Sequence, residues 1–467
     1  MKITWDNVCS SLGIAKEDFE KRGLLAPLSA PSLQVSTDSR EIKEGQWYLP
    51  LKGEHFDGHK FIGSALKSGA HGFFYERKAP IESQWSAKGV EVEDTLKAYQ
   101  ALATLLRSVC RVPTVAITGS NGKTTVKEMA FHVLSKLGPC LKTQANNNNE
   151  IGVAKTLLSL TKEHKTALLE FGARHVGDLT ELSAIAMPDI RVLLNVGSAH
   201  VGEFGSLERL REAKLELLRT GTPSDTLLTC HDDDLLRSAA SSLPGKLVTF
   251  GYSKEAGVCI LGVEQQDGRY EVVLRLPGGE EIRVHLSHFH ACYPINMAAA
   301  AAIGFVAGVP AVGIKAGLES FEGPKGRFHV VQRGGLTVID DSYNANPESM
   351  AAGLKTLKSH YQNRKMVLVL GDMLELGDAE KEAHQDLGRQ AAGLLPSYLV
   401  TVGKRSEETH KAAIAAGLEA SRAIHCSVVD EAVDKFLLVR DKADLLYVKG
   451  SNSIGLSKLV SHSLELE

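Results

Sequence analysis

The stretch Thr118-Gly119-Ser120-Asn121-Gly122-Lys123-Thr124-Thr125 carries the residue types that bind a phosphate group, in a suitable order. Small residues let backbone N–H groups converge on an anion, and a helix opening at the end of the loop adds its dipole. Lys123 would reach the β- and γ-phosphates of a nucleotide, and the Thr124 hydroxyl would complete a magnesium shell. The generic pattern has glycine two positions before Gly119, where this chain has Ile117, so the match is to a variant of it. Two further strand-like runs end on polar groups. The run 166–171 contains Glu170, and the run 191–196 contains Asn195 and leads to His200. Alone, Glu170 reads as a solvent-exposed strand-end carboxylate and His200 as a hydrogen-bonded structural histidine. Taken with the loop they read as a metal site. Magnesium prefers oxygen ligands, so Glu170 fits readily and His200 hints at a second, less typical metal position. Lys214, in Glu212-Ala213-Lys214-Leu215-Glu216, reads from its spacing as a solvated lysine on a helix face. Beside a metal, its amine would have to be neutral or converted to an anion.

These groups need a scaffold that brings strand ends together. The β-forming run 112–117 precedes the loop, and Val126-Lys127-Glu128-Met129-Ala130 opens a helix after it. Strands over 166–171, 191–196 and 226–230 alternate with helices, the pattern of a parallel sheet covered on both faces. The alternation in 272–276 and 282–286 around Pro277-Gly278-Gly279 predicts an antiparallel hairpin. A small-residue helix covers 296–302, and a Gly/Pro junction follows at 323–326. Strands over 336–340, 365–370, 398–402 and 445–448 then repeat the α/β alternation. The first 89 residues mix short strands with glycine turns, and a helix over 94–110 leads out of them. The expectation is an α/β protein of three domains: 1–89, a central 90–326 with a P-loop-type, doubly wound, mostly parallel sheet, and a Rossmann-like 327–467. The run Asn146-Asn147-Asn148-Asn149, taken alone, reads as a solvated polar turn.

Composition narrows the class. The 467 residues suit about three domains. Hydrophobic content of 43% with 23% charged residues describes a globular chain with ample core material. A net charge of −3 argues against a nucleic-acid binder. Seven scattered cysteines without C-x-x-C spacing suggest neither a zinc site nor a disulfide framework and suit a reducing compartment. The N-terminus lacks the apolar run of a signal peptide, and no membrane-length apolar stretch follows. A cytoplasmic protein, monomeric and without a membrane span, is expected.

The phosphate loop resembles the variant loop of the Mur ligases and folylpolyglutamate synthases. Asn146 to Val153, Glu170-Phe171-Gly172-Ala173, Ala199-His200, Ala213-Lys214-Leu215-Glu216 and Asn296-Met297-Ala298-Ala299-Ala300 resemble Mur central-domain motifs in the same order. Ser36-Thr37-Asp38-Ser39-Arg40 and Phe56-Asp57-Gly58-His59 resemble the UDP-sugar domain that folylpolyglutamate synthases lack. Asp340 to Pro347 and Leu370-Gly371-Asp372-Met373-Leu374-Glu375-Leu376-Gly377 are most similar to the dipeptide-adding members of the Mur family.

The resemblance implies an ATP-dependent, ADP-forming amide ligase of peptidoglycan precursor synthesis that works through an acyl phosphate. Its substrates would be a UDP-N-acetylmuramoyl-tripeptide and D-Ala-D-Ala. The alternatives are the related ligase that adds the third amino acid to the dipeptide precursor, and a nucleotide-dependent binding module that forms no bond. The resemblance further implies that Gly119, Ser120, Asn121, Gly122, Lys123, Thr124 and Thr125 hold ATP. Asn296 would contact adenine, Asp341 the ribose, and Arg327 the phosphates. Thr124, Glu170, His200 and Lys214 would bind Mg²⁺, with Lys214 carrying a CO2-derived carbamate; Lys123, Lys214, His200 and Glu170 form the implied catalytic set. Ser36, Asp38, Ser39, Arg40 and Asn148 would meet the UDP substrate. Tyr343, Asn344 and Asn346 would face the dipeptide, with the C-terminal domain closing on the nucleotide. After Val448-Lys449-Gly450-Ser451 the family often has arginine, where this chain has Asn452.

Overall fold

The computed structural model describes residues 3–25, 34–197, 201–266 and 269–465. Its described strands form three sheets, of four, nine and six strands, mostly parallel. The chain divides into two compact units. The first comprises residues 1–116, 137–173 and 177–191; the second comprises 117–136, 174–176 and 192–467.

In the first unit, Val35–Ser36, Trp47–Tyr48, Gly72–Glu76 and Gly89–Val92 pair in parallel in that order. Tyr48, Ile62 and Phe73 are buried beneath them. The first strand is only two residues long, so the chain turns at once through Asp38, Ser39 and Arg40. The helix Thr95–Cys110 is capped by Asp94, whose side chain accepts from Lys97 N, and buries Tyr99, Leu102 and Leu106. Cys140–Lys142 and Thr166–Glu170 pair in parallel, and every residue of the latter is buried. The asparagine run is more than a polar turn. Asn149 caps the helix Glu150–Leu157, and Gly152 is required there, because a Cβ would lie 2.4 Å from the Asn147 backbone.

In the second unit, Thr226–Cys230 matches the sequence reading and pairs in parallel with Lys246–Gly251. The expected hairpin is present and larger than read. Val258–Gln266, Arg269–Arg275 and Glu281–Leu286 form three antiparallel strands. The last alternates exposed and buried residues, as a sheet solvated on one face must. In the C-terminal sheet, Leu336–Asp341, Leu445–Lys449, Met366–Gly371, Tyr398–Val402 and Ala423–Cys426 run parallel, and His329–Arg333 pairs antiparallel at one edge. Adjacent residues face opposite ways: Ile339, Leu368 and Tyr447 pack in one core, and Val338, Val367 and Leu446 in the other. Two apolar faces on one sheet are what helices on both sides require. None of the described helices is long and apolar enough to cross a membrane.

Candidate active site

Ligands of open α/β sheets bind beyond the carboxyl ends of the strands, and the second unit gathers its polar groups there. The strand Thr114–Thr118 ends at the glycine loop, and the helix Lys123–Leu134 begins directly after it. Gly122 is the helix cap, at φ +84°, and a Cβ on it would lie 2.9 Å from Asn296 Oδ1. The left-handed conformation therefore calls for glycine. Asn195 braces the loop from the next strand end. Its Oδ1 accepts from Asn121 N at 2.9 Å, and its Nδ2 donates to Asn121 O at 3.1 Å. Its backbone oxygen accepts from Ser120 N at 3.1 Å. Lys123 folds back over the loop, its Nζ donating to Gly119 O at 2.7 Å. The ammonium thus sits over the turn where phosphate oxygens would lie.

A cavity of about 360 Å³ opens on this loop. Of the ten residues expected to hold ATP, Ser120, Asn121, Gly122, Lys123, Thr124 and Thr125 line it, as do Asn296, Arg327 and Asp341. Gly119 contributes through its carbonyl. The opposite wall comes from the C-terminal strand ends. Asp341 is buried and its oxygens are engaged: Oδ1 accepts from Phe328 N at 3.1 Å, and Oδ2 accepts from Tyr447 OH at 3.0 Å. Lys449 Nζ lies 2.8 Å from the same Oδ2 and donates to Asn344 O at 3.0 Å. Burial, and secondarily the Asp341 charge, push the Tyr447 phenol well above its usual range. A carboxylate has about four acceptor positions, so Asp341 retains room for a ligand hydroxyl. The Arg327 guanidinium stacks over the Tyr343 ring at 4.2 Å.

The apolar end of the cavity was not visible in the sequence. His290 packs against Phe328 at 4.6 Å and Tyr293 at 5.6 Å between ring centroids. Burial holds the His290 imidazole down to about 4, so it stays neutral at ordinary pH. Its Nδ1 accepts from Cys292 N at 3.2 Å, which puts any ring proton on Nε2. Cys292 also lines the cavity, with its thiol pushed up by burial. Flat rings beside an asparagine amide suit a heteroaromatic base.

The remaining expected residues divide. Asn346 lines the cavity, yet its amide is committed: Oδ1 caps the following helix through Ser349 N, and Nδ2 donates to Asn121 Oδ1 at 2.7 Å. Tyr343 supports Arg327, while Asn344 lines the cavity. Lys214, on the helix Leu207–Arg219, is 1% exposed. It is therefore not a solvated lysine, because its turn carries the apolar face that packs inward. Glu170, in the first unit, is 3% exposed and accepts from Asn148 Nδ2 at 3.1 Å. The exposed reading of this carboxylate is likewise overturned, since the strand that carries it is buried throughout. In the same unit, Arg40 forks onto Asp38 through Nε and Nη2 at 2.9 and 2.6 Å. Ser36 Oγ donates to Asp38 O, and Ser39 is buried. His200 lies outside the described residues.

Three family descriptions match the chain: "Mur ligase family, catalytic domain" over residues 34–107, "Mur ligase middle domain" over 117–304, and "Mur ligase, glutamate ligase domain" over 326–452. A UDP-N-acetylmuramoyl-tripeptide–D-alanyl-D-alanine ligase from Synechocystis sp. is 36% identical over 434 residues, 92% of this chain and 91% of that one. The crystal structure of MurF from Acinetobacter baumannii superposes with a TM-score of 0.86 at 31% identity, covering 100% of this chain and 99% of the other. MurF from Thermotoga maritima, solved with ADP, gives 0.80 at 26% identity, covering 93% and 97%.

Proposed function

This chain belongs to the Mur ligase family, and on that premise we propose that it joins D-Ala-D-Ala to a UDP-N-acetylmuramoyl-tripeptide in peptidoglycan precursor synthesis. ATP is consumed, and ADP and phosphate are released. The observation that carries the reading is the single cavity shared by the glycine loop, Asn296, Arg327 and Asp341.

A carboxylate is a poor electrophile, and activation converts it to a good one. The tripeptide carboxylate attacks the γ-phosphorus in line, the bond to the β-phosphate oxygen breaks, and an acyl phosphate forms with ADP. The neutral amine of D-Ala-D-Ala then attacks the acyl carbon, phosphate leaves from the tetrahedral intermediate, and the proton lost by nitrogen leaves with the phosphate. Two anions must meet in the first step. Lys123, the loop amides and Arg327 hold the γ-phosphoryl oxygens and lower that repulsion. Thr124, Glu170 and His200 would hold Mg²⁺, which would supply further charge neutralisation. Lys214 carries the CO2-derived carbamate in this reading. Its burial suits a modified group held in one place better than a surface ammonium.

Asn296 meets the adenine, Asp341 the ribose. Ser36, Asp38, Ser39, Arg40 and Asn148 belong to UDP-substrate recognition, and Asn344 to the dipeptide side. Residues 1–89, 90–326 and 327–467 act as the substrate, nucleotide and closing segments.

A donor panel tests the reading. With UDP-N-acetylmuramoyl-tripeptide and ATP, phosphate release should depend on D-Ala-D-Ala, and the product should gain the mass of the dipeptide less water. Dependence on a free amino acid with the dipeptide precursor would reassign the chain to the preceding step, and no mass gain with any donor would reduce it to a binding module. In the same assay, bicarbonate should restore turnover to a CO2-depleted preparation. Absence of any response would remove the carbamate.

A further inference from the structure

We propose that Arg174 holds the terminal carboxylate of the amine-donor dipeptide, in a second cavity that adjoins the nucleotide cavity. The proposal rests on the ligase reading above and deepens it.

The second cavity measures about 380 Å³, within the range that accepts small ligands. It shares Asn344 and Asn346 with the nucleotide cavity, so a molecule seated in it lies next to the nucleotide site. Three further segments wall it: Arg174, residues 374–376 and residues 451–453. Among its described lining residues, Arg174 is the cation and Glu375 the anion. Asn452 and Ser453, on the same wall, bring no charge. A dipeptide has one carboxylate and one amino group, and this wall carries one basic and one acidic side chain. Guanidinium is the cation that suits a carboxylate, because its N–H fork matches both oxygens.

The wall carrying Glu375 is held firmly. Met373 N donates to His384 Nε2 at 3.0 Å, and Leu374 N donates to Ser451 Oγ at 3.1 Å. Asp372 Oδ1 accepts from Ser406 N at 2.7 Å. Glu375 itself adopts φ +64°, a conformation unfavourable for a residue with a Cβ. Such strain persists where surrounding structure over-determines it, and it clusters at ligand sites. The run 370–377, whose part in the chemistry the motif alone does not reveal, thereby acquires one.

Arg174→Gln and Arg174→Lys, in the full chain, test the assignment with two donors: D-Ala-D-Ala and its C-terminal carboxamide. For the unaltered protein, kcat/KM should fall on the order of 10- to 100-fold on passing to the carboxamide, as expected for loss of one charge-assisted pair. Arg174→Gln should lose a similar factor with D-Ala-D-Ala, chiefly in KM, and should no longer distinguish the two donors. Arg174→Lys should recover part of the discrimination, and the KM for ATP should stay unchanged in both. Equal losses on both donors, or undiminished discrimination in Arg174→Gln, would overturn the role of Arg174 and leave the ligase reading standing. An unaltered protein that makes no product from D-Ala-D-Ala would sink both.

Discussion

Among the described residues, two carboxylate–cation pairs at strand ends, Asp38–Arg40 and Asp341–Lys449, differ in one respect that decides what each can do. Asp38 and Arg40 follow a two-residue strand, with side chains 30% and 86% exposed. Asp341 and Lys449 end neighbouring strands of the C-terminal sheet, with side chains 10% and 4% exposed. The hydrogen bond and charge of Arg40 hold the Asp38 carboxyl down to about 2, yet water screens this pair. Exposed pairs contribute little to stability and can open when a ligand arrives. The buried pair has no such freedom. Removing either partner leaves a charge in a medium that cannot solvate it. The same chemical motif serves as an adjustable contact in one place and as fixed framework in the other.

The largest effect that could break this contrast is expected from Lys449→Met. It should destabilise the protein by about 3–5 kcal/mol, read by denaturant unfolding, with loss of nucleotide binding. A cost below about 1 kcal/mol would mean that the pair is not part of the framework.

A smaller effect sharpens the picture of the same buried corner. His290 is held down to about 4 mainly by burial; Lys449 and His288 reinforce this, and Asp341 opposes it. The unfolded imidazole protonates near 6.5, so between pH 6.5 and 4 the unfolded state binds more protons. Stability should therefore fall as pH drops through that window, by up to about 3 kcal/mol at one pKa unit per 1.4 kcal/mol. His290→Gln should flatten this component of the profile, and an unchanged slope would place the titrating group elsewhere.

The smallest structural effect belongs to the exposed pair. Arg40→Ala should leave the melting temperature unchanged and raise the KM for the UDP substrate. A large fall in melting temperature would show that exposure misrepresents how tightly this turn is held.

The same division between local and tertiary determinants explains what the sequence disclosed. The strands over 226–230 and 398–402 appear with the bounds read from their β-branched runs. The helix read over 94–110 begins at Thr95 because Asp94 serves as its cap. The run 191–196 is strand only over Ile190–Leu193. Beyond it the chain turns to brace the glycine loop, with Asn195 bonding to Ser120 and Asn121. The glycine loop, Asn296, Arg327 and Asp341 were legible because each sits in a motif. The ring wall of His290, Tyr293 and Phe328 was not, since the segments 290–293 and 328 meet only on folding. Lys449 carries a legible signal of its own: a lysine at the last position of a buried strand needs a partner, and strand ends are where this fold places its chemistry. The burial of Glu170 and Lys214 escaped local spacing for a similar reason, because neither residue shows in sequence what packs over it.

Cys292 lines the cavity at the glycine loop with its thiol pushed up by burial and, to a lesser degree, by Asp341. The thiolate is the reactive form of sulfur, so at neutral pH this cysteine is a poor nucleophile in a position of consequence. Peroxide and mild electrophiles should modify it slowly. A covalent inhibitor aimed at this sulfur must bring its own affinity for the ring-lined end of the cavity, because intrinsic reactivity will not trap it there.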